Sequence, residues 1–520
     1  MIVINNSPIL LNFNDACFDL NTDTMNIFEK TQIFLKKYPE IRTSLEWDIE
    51  QYAKKKKAVR LANKEYEEEN SCNEGSVLFD PRSYTVKELE DEIKNGRPQM
   101  SVDLIFFFET LRGIWGSISD KNAVERLKDS TSIQVVFAHF GYKVPGCNTI
   151  RENVNKISEQ TKQLILKCQA YYILENKLDN FYEVFIDSTD VKANTAFPTD
   201  IDIAYKILCR TCKSLESLQK FDIPVVIESW TKTRLKKINK HLKYVNMNCG
   251  KGIKGDVKEH YRSFLLLGQR VLREFENARD KVVNVWEQID FNPEKRMALD
   301  ILWDKIEQDL QDADYVMNYA ELRTEKGVNL PTREKILSTS DRDAAYIQKG
   351  QRIPVIGYKP QIARSGNGFI CGLIIPRGNA SDSEMLIPVV NHVIKTTNVI
   401  PSLVSVDDGY ASKDNVNTLE NDYKIMTVSI SGSKGKKILG EDLWNDDRYV
   451  YARNQRSAVE SGMFTLKFNH CFGQLRRRGI DNASAELMGK VIAYNFMRII
   501  NIEKMMSQKK AEQAVCKFAV

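Results

Sequence analysis

The chain has 520 residues, 42% hydrophobic and 28% charged, a balance that excludes a largely disordered polypeptide. That length predicts roughly two to four packed domains. With 75 basic and 70 acidic residues the net charge is only +5, so a polyanionic partner must be held by local clusters of cations rather than by the surface as a whole.

Residues 1–95 read as a mixed, partly polar N-terminal arm. They start without a basic segment and apolar core, so no signal peptide is expected. No window approaches ~18 uninterrupted apolar residues, so a cytoplasmic protein without a membrane span is expected. The run Lys54–Lys57, followed by the acidic stretch 65–70, fits a solvated helix face, with DNA contact as the competing reading. Residues 96–175 predict a helical domain. Its 102–115 stretch is strongly apolar, Ser119 or Asp120 offers an N-cap, and Pro145-Gly146 turns into a further helix start. Such a unit fits a DNA-binding helix-turn-helix and equally any packed bundle.

At 181–187 an aromatic and β-branched run predicts a strand ending on Asp187. Residues 201–349 return to long helical periodicity, and Asp200 reads as a helix N-cap. Between 354 and 376 two strands are expected, joined by a turn over Ser365, Gly366, Asn367 and Gly368. A helix at 383–397, a strand closing on Asp407, a strand at 423–431 and helix from about Asn454 follow. With 201–349 set aside, this order implies a mixed sheet with helices on its faces. Ten cysteines are scattered, and only Cys209 and Cys212 form a CxxC. It lies on a predicted helix with no second pair, so free thiols are favoured over a zinc site.

Catalytic groups gather at the carboxyl ends of strands, which makes Asp187 and Asp407 candidates; Asp408 is a rival that points the other way. Converging carboxylates repel one another unless a cation lies between them, and hard oxygen ligands select magnesium or manganese. Arg456, Glu460 and Lys467 fall within about 40° of one another around a helix. They fit a metal ligand flanked by phosphate-gripping cations, and also an ordinary i,i+4 ion pair with a neighbouring lysine. Basic stretches at 231–243, including Lys236 and Lys237, and at Arg476, Arg477 and Arg478 could contact DNA backbone. The five histidines lack ligand spacing, and His470 reads as structural. The Gly-Lys stretch 249–255 is not a phosphate loop.

Three segments in order resemble the DDE transposases of bacterial insertion sequences. They are 184–200 around Asp187, the Asp-x-Gly-Tyr of Asp407 to Tyr410, and a Tyr-x-x-Arg-x-x-x-Glu-x-x-x-x-x-x-Lys signature met by Arg456, Glu460 and Lys467. Arg453 stands where the signature has Tyr. The resemblance, to the ISNCY-like, Tyr-Arg-Glu-Lys group, covers roughly 100–520. It implies an RNase H-like α/β catalytic core, a mixed sheet with flanking helices, at 176–200 and 350–520. An α-helical N-terminal domain at 96–175 and a large α-helical insertion at 201–349 accompany it. It further implies that Asp187, Asp407 and Glu460 hold two Mg2+ (or Mn2+) ions. The enzyme would cleave transposon ends and transfer strands into target DNA as a homodimer in a synaptic complex, acting at the nucleoid when bound. Arg453, Arg456 and Lys467 would grip DNA. The alternatives are an RNase H-like nuclease without strand transfer and an inactive, transposase-derived DNA-binding protein.

Overall fold

A computed structural model describes residues 22–518 except 53–99, 117–118, 196–198, 222, 224, 226, 249–252, 287–292, 332–333 and 349–352. The lysine run 54–57, Pro198 and most of the Gly-Lys stretch lie outside the described residues. The described part of the N-terminal arm is helical, with α1 at Thr22–Lys37 and a further helix over 39–52. Phe34, Ile41, Leu45 and Ile49 from this pair belong to the same core as the central sheet.

Helices α2 (Val102–Ile114), α3 (Asp120–Asp129), α4 (Thr131–His139) and α5 (Cys147–Val154) follow. Ser119, not Asp120, caps α3, its side chain accepting from the Asn122 N–H. Phe107, Phe108, Leu127, Phe137 and Val154 form a small core with Phe28 of α1. Helix α6 (Glu159–Glu175) leads into β1 (Glu183–Ser188) and β2 (Val191–Lys192).

The block that interrupts the sheet consists of α7 (Asp200–Ser217), α8 (Ser229–Asn248), α9 (Asp256–Trp286) and α10 (Pro293–Lys326). It buries a separate core that includes Ile207, Leu208, Phe264, Phe275 and Val316. Thr199 caps α7, with Asp202 completing a capping box. The expected cap Asp200 is instead the first helical residue and pairs with Arg323 at 2.7 Å.

The remaining strands are β3 (Ala345–Ile347), β4 (Val355–Tyr358), β5 (Gln361–Ser365), β6 (Ile370–Ile374), β7 (Leu403–Val406) and β8 (Thr427–Ile430). Two strands were expected over 354–376, but three form. Pro360 has no N–H to give a ladder, and the chain breaks there. β4 then joins a separate sheet, β2-β4-β3, while β5 and β6 make the hairpin across the Ser365–Gly368 turn. Gly357 lets β2 approach, since a Cβ there would lie 1.9 Å from Val191 O. The main sheet has the order β6-β5-β1-β7-β8, with β5 and β6 antiparallel and β7 and β8 parallel to their neighbours.

Helix α11 (Asp382–Thr397), capped by Ser381, packs on β5 and β6. α12 (Lys413–Asn421) connects β7 to β8. Helix was expected from about Asn454, but it begins earlier, as α13 (Ser433–Asn445) and α14 (Asp447–Asn469). The glycines at 432, 435 and 440 mask the first of these in sequence, and Asp446 caps the second. α15 (Ile480–Phe518) runs past β6 and α2.

Candidate active site

Two aspartates come level at the carboxyl end of the central strands. In the parallel pair β1–β7, Glu183, Val184 and Phe185 stand opposite Leu403, Val404 and Ser405. The same offset, carried two residues further, sets Asp187 beside Asp407 at the ~4.8 Å spacing of neighbouring strands. Side chains alternate along a strand, so Phe185, Asp187, Ser405 and Asp407 share one face. Ser405 Oγ donates to Ala452 O of α14 at 3.1 Å, which identifies that face as the one α14 covers. A second contact agrees. Arg364, opposite Phe185, lies 3.2 Å from the point a Cβ on Gly462 of α14 would take.

Around these acids the chain builds a polar nest. Asp187 Oδ1 accepts from the Ser188 N–H at 2.7 Å, and Asp407 Oδ1 from the Gly409 N–H at 2.9 Å. Asp407 thereby starts a 3-10 turn over Asp408–Tyr410 that drives Tyr410 into the core. The Tyr410 hydroxyl donates to Gln361 Oε1. Burial, then the Asp382, Asp187 and Asp407 carboxylates, push its pKa far above the ordinary phenol value. Three acids therefore act on one buried hydroxyl.

Asp382 was not anticipated. In sequence it looks like an ordinary first-turn acid of α11, favourable to the helix dipole. A Cβ on Gly409 would lie 3.1 Å from both Asp382 Oδ2 and Asp407 Oδ1, so these two oxygens are within twice that distance of each other. Lys359 Nζ reaches Asp382 Oδ1 at 2.9 Å, and Gln361 Nε2 donates to the same oxygen at 3.0 Å. Burial pushes the Asp382 carboxyl up, but hydrogen bonds from Lys359, Gln361 and Ser188 outweigh it and hold the pKa below the usual value.

Helix α14 packs on this sheet through Val459, Met463 and Leu466. Its charged side is arranged as the sequence spacing predicts. Arg456 Nη2 meets Glu460 Oε1 at 3.2 Å, and Glu460 is 64% exposed. Lys467 Nζ reaches Asp190 Oδ1 at 3.0 Å, just beyond the end of β1. The structure thus brings Asp187 and Asp407 together and places Glu460 on the neighbouring helix, paired with Arg456. Among the described residues no three of His, Cys, Asp and Glu are grouped closely enough to hold a metal ion. The two strand-end carboxylates have the donor chemistry for a divalent cation, and Glu460 stands outside that pair as arranged.

Asp408 Oδ1 accepts from the Lys434 and Gly435 N–H groups at 2.8 and 3.1 Å, and so is turned away to cap α13. Arg453 donates to Trp444 O at 2.5 Å and lies 3.9 Å over the Trp444 ring, fastening α13 to α14. Arg476 and Arg477 turn inward to Gly116 O and Asn155 O, and Arg478 donates to Asn194 O. Lys236 and Lys237 are exposed on α8 and form no ion pair among the described residues. His470, buried, contacts Gly113 O at 3.0 Å and stacks edge-on to Tyr494. His241 and His260, with no regular spacing in sequence, meet at 3.0 Å between α8 and α9. Cys212 sits in the core of the helical block, and burial pushes its thiol up to about 11. No described helix is long and apolar enough to cross a membrane.

Residues 328–496 match the family model described as the transposase DDE domain. The matched stretch holds Lys359, Asp382, Asp407, Arg456, Glu460 and Lys467; Asp187 precedes it, on the far side of the helical block. No curated protein and no solved structure matches the chain.

Proposed function

We propose that this chain is a DNA transposase of the DDE class, cleaving transposon ends and joining them to target DNA. The observation that carries the reading is the pairing of two strand-end aspartates on the sheet face covered by α14, the helix that bears Glu460. The sheet order, three antiparallel-linked strands followed by two parallel crossovers, supports an RNase H-like core. Similarity of 328–496 to a transposase DDE domain supports the substrate class.

In this reading Asp187, Asp407 and Glu460, once released from Arg456, would hold the two divalent cations, Mg2+ or Mn2+. Bound there, the ions would polarise the scissile phosphate and activate water or a DNA 3′-hydroxyl. The chain's own groups do the rest. Tyr410 and Gln361 fix the turn that aims Asp407, and Lys359, bound to Asp382, stands beside it as a local counter-charge. Arg456, once released, and Lys467 grip phosphates along α14. Lys236 and Lys237 on α8 would follow duplex backbone further out, while Arg453 acts through Trp444 rather than on DNA. Two copies would hold the two transposon ends together.

Incubation of the full chain with Mg2+ and labelled duplexes from both flanks of its own coding sequence tests this. Cleavage at defined ends with strand transfer, lost in Asp187→Asn and in Glu460→Gln, is the expected result. Cutting of any duplex without end preference would instead favour a nuclease. Binding without cutting would favour an inactive descendant, and cleavage unchanged in Asp187→Asn would place the centre elsewhere.

A further inference from the structure

A second polar cluster lies apart from the strand ends. A cleft opens between α2, α5, α6, α15 and the segment leading into α15, with Gly113, Gly116 and Gly489 on its wall. All three must stay bare. A Cβ on Gly113 would lie 2.5 Å from the Ala493 Cβ, one on Gly116 2.3 Å from His470 O, and one on Gly489 2.1 Å from Glu109 Oε1.

Three carboxylates stand in or beside the cleft, and each is already engaged. Glu109 takes the fully buried ammonium of Lys162. Glu486 takes Lys490 at 3.0 Å and the N–H groups of Arg476 and Arg477. Asp120, only 8% exposed, is shared by Arg151 at 2.8 Å, Arg112 at 3.4 Å and Arg476 at 3.6 Å. Arg477 forms no ion pair among the described residues; its guanidinium donates to Asn482 Oδ1 and to Asn155 O. Six cations thus answer three carboxylates. They also act on one another. Beyond the effect of burial, Arg477 and Arg112 each pull the Lys162 pKa down, and Arg112 does the same to Arg477. A fold that needed only a staple here would have been served by matched pairs.

We propose that this cleft binds a phosphate group. Its walls offer guanidinium forks, which match phosphate oxygens in pairs, and a dianion would offset most of the surplus charge. Arg112 and Arg476 line the cleft, 20% and 38% exposed, and Arg151, 50% exposed, joins them from outside through the shared Asp120, so the site opens to solvent on its cationic side. The group could be free inorganic phosphate or a backbone phosphate of nucleic acid. The segment 471–479 that forms one wall also lies against β2, with Lys192 N–H bonded to Gly473 O, so a duplex passing the strand ends would come near it.

The test uses the full chain in EDTA at constant ionic strength, where no metal-dependent step runs, so its outcome is independent of the transposase reading. Melting temperature is followed against inorganic phosphate, with chloride as control. Affinity for a fluorescent duplex is followed across salt concentration. A phosphate-specific rise in melting temperature, weakened about tenfold in concentration by Arg477→Gln and by Arg151→Gln, identifies free phosphate. A drop of about tenfold in duplex affinity in the same variants, with a salt slope shallower by about one, identifies backbone phosphate. Because Arg477→Gln could unfold the chain, Arg151→Gln, at a half-exposed position, is read first. A folded Arg151→Gln whose phosphate response and duplex affinity both equal wild type overturns the proposal, as does a wild type that responds to neither probe.

Discussion

The helical block and the carboxyl end of the sheet treat acids in opposite ways. In the block, each buried acid meets its own base. Arg210 forks onto Asp309 at 2.7 and 2.5 Å and Arg342 reaches Asp312 at 2.6 Å, while on the surface Glu325 takes Arg262 at 2.5 Å. At the sheet end, Asp187, Asp407 and Asp382 gather around one buried tyrosine, and Lys359 answers on Asp382. Matched pairs serve a fold, whereas converging like charges work against it and persist where they do something else.

The sharpest break in that comparison is expected from the strand-end acids. Asp187→Asn and Asp407→Asn should each lower DNA processing by about a thousandfold, while the urea midpoint stays level or rises as repulsion is relieved. Glu460→Gln should give a comparable loss of activity, and its exposure predicts no loss of stability. A stability loss that tracked activity would mean these acids serve the fold after all.

In the block the order should reverse. Asp309 is 2% exposed, so Asp309→Ala leaves Arg210 in a largely buried site without its partner. The expected cost is about 3–5 kcal/mol by urea denaturation. The surviving folded fraction should cut DNA at the wild-type rate.

Between these extremes lies His392 of α11, on the sheet side of the molecule. Burial, with a smaller push from Lys395, lowers its pKa to about 4. An imidazole that is neutral when folded but titrates near 6.5 when unfolded gives its full stability above that value. The stability is then lost as pH falls from 6.5 towards 4. The loss should reach about 3 kcal/mol at most. Denaturation midpoints measured across that range should flatten in His392→Gln.

Much of this arrangement is legible in the sequence because its signals are local. The run ending in Asp187, the strand closing on Asp407 and the spacing of Arg456, Glu460 and Lys467 need only a period and a neighbour. Asp382 is not legible, because an acid in the first turn of a helix is ordinary and only the fold carries it to Asp407. The arginines 476 to 478 are only partly legible, for the converse reason. A cationic run suggests solvent and DNA, yet two of its guanidiniums turn inward to backbone carbonyls across a sequence gap that no local pattern spans. The split of 354–376 into three strands was signalled by Pro360, but that it sends β4 to a second sheet depends on β2, far back in the chain.

The smallest effect tests the choice between two adjacent acids. α13 starts at Gly432 with no side-chain cap of its own, and its φ of +98° brings the chain against Asp408. Asp408 Oδ1 supplies the missing acceptor to Lys434 and Gly435. Asp408→Ala should therefore cost about 1 kcal/mol in urea, the usual worth of a cap, and leave DNA processing by the folded protein intact. Asp407→Ala, which loses one such bond, to the Gly409 N–H, but relieves repulsion with its neighbouring acids, should move the urea midpoint less and abolish processing. If the two variants exchange these outcomes, the strand-end carboxylate of the site is Asp408, and the face shared with α14 is not the catalytic one.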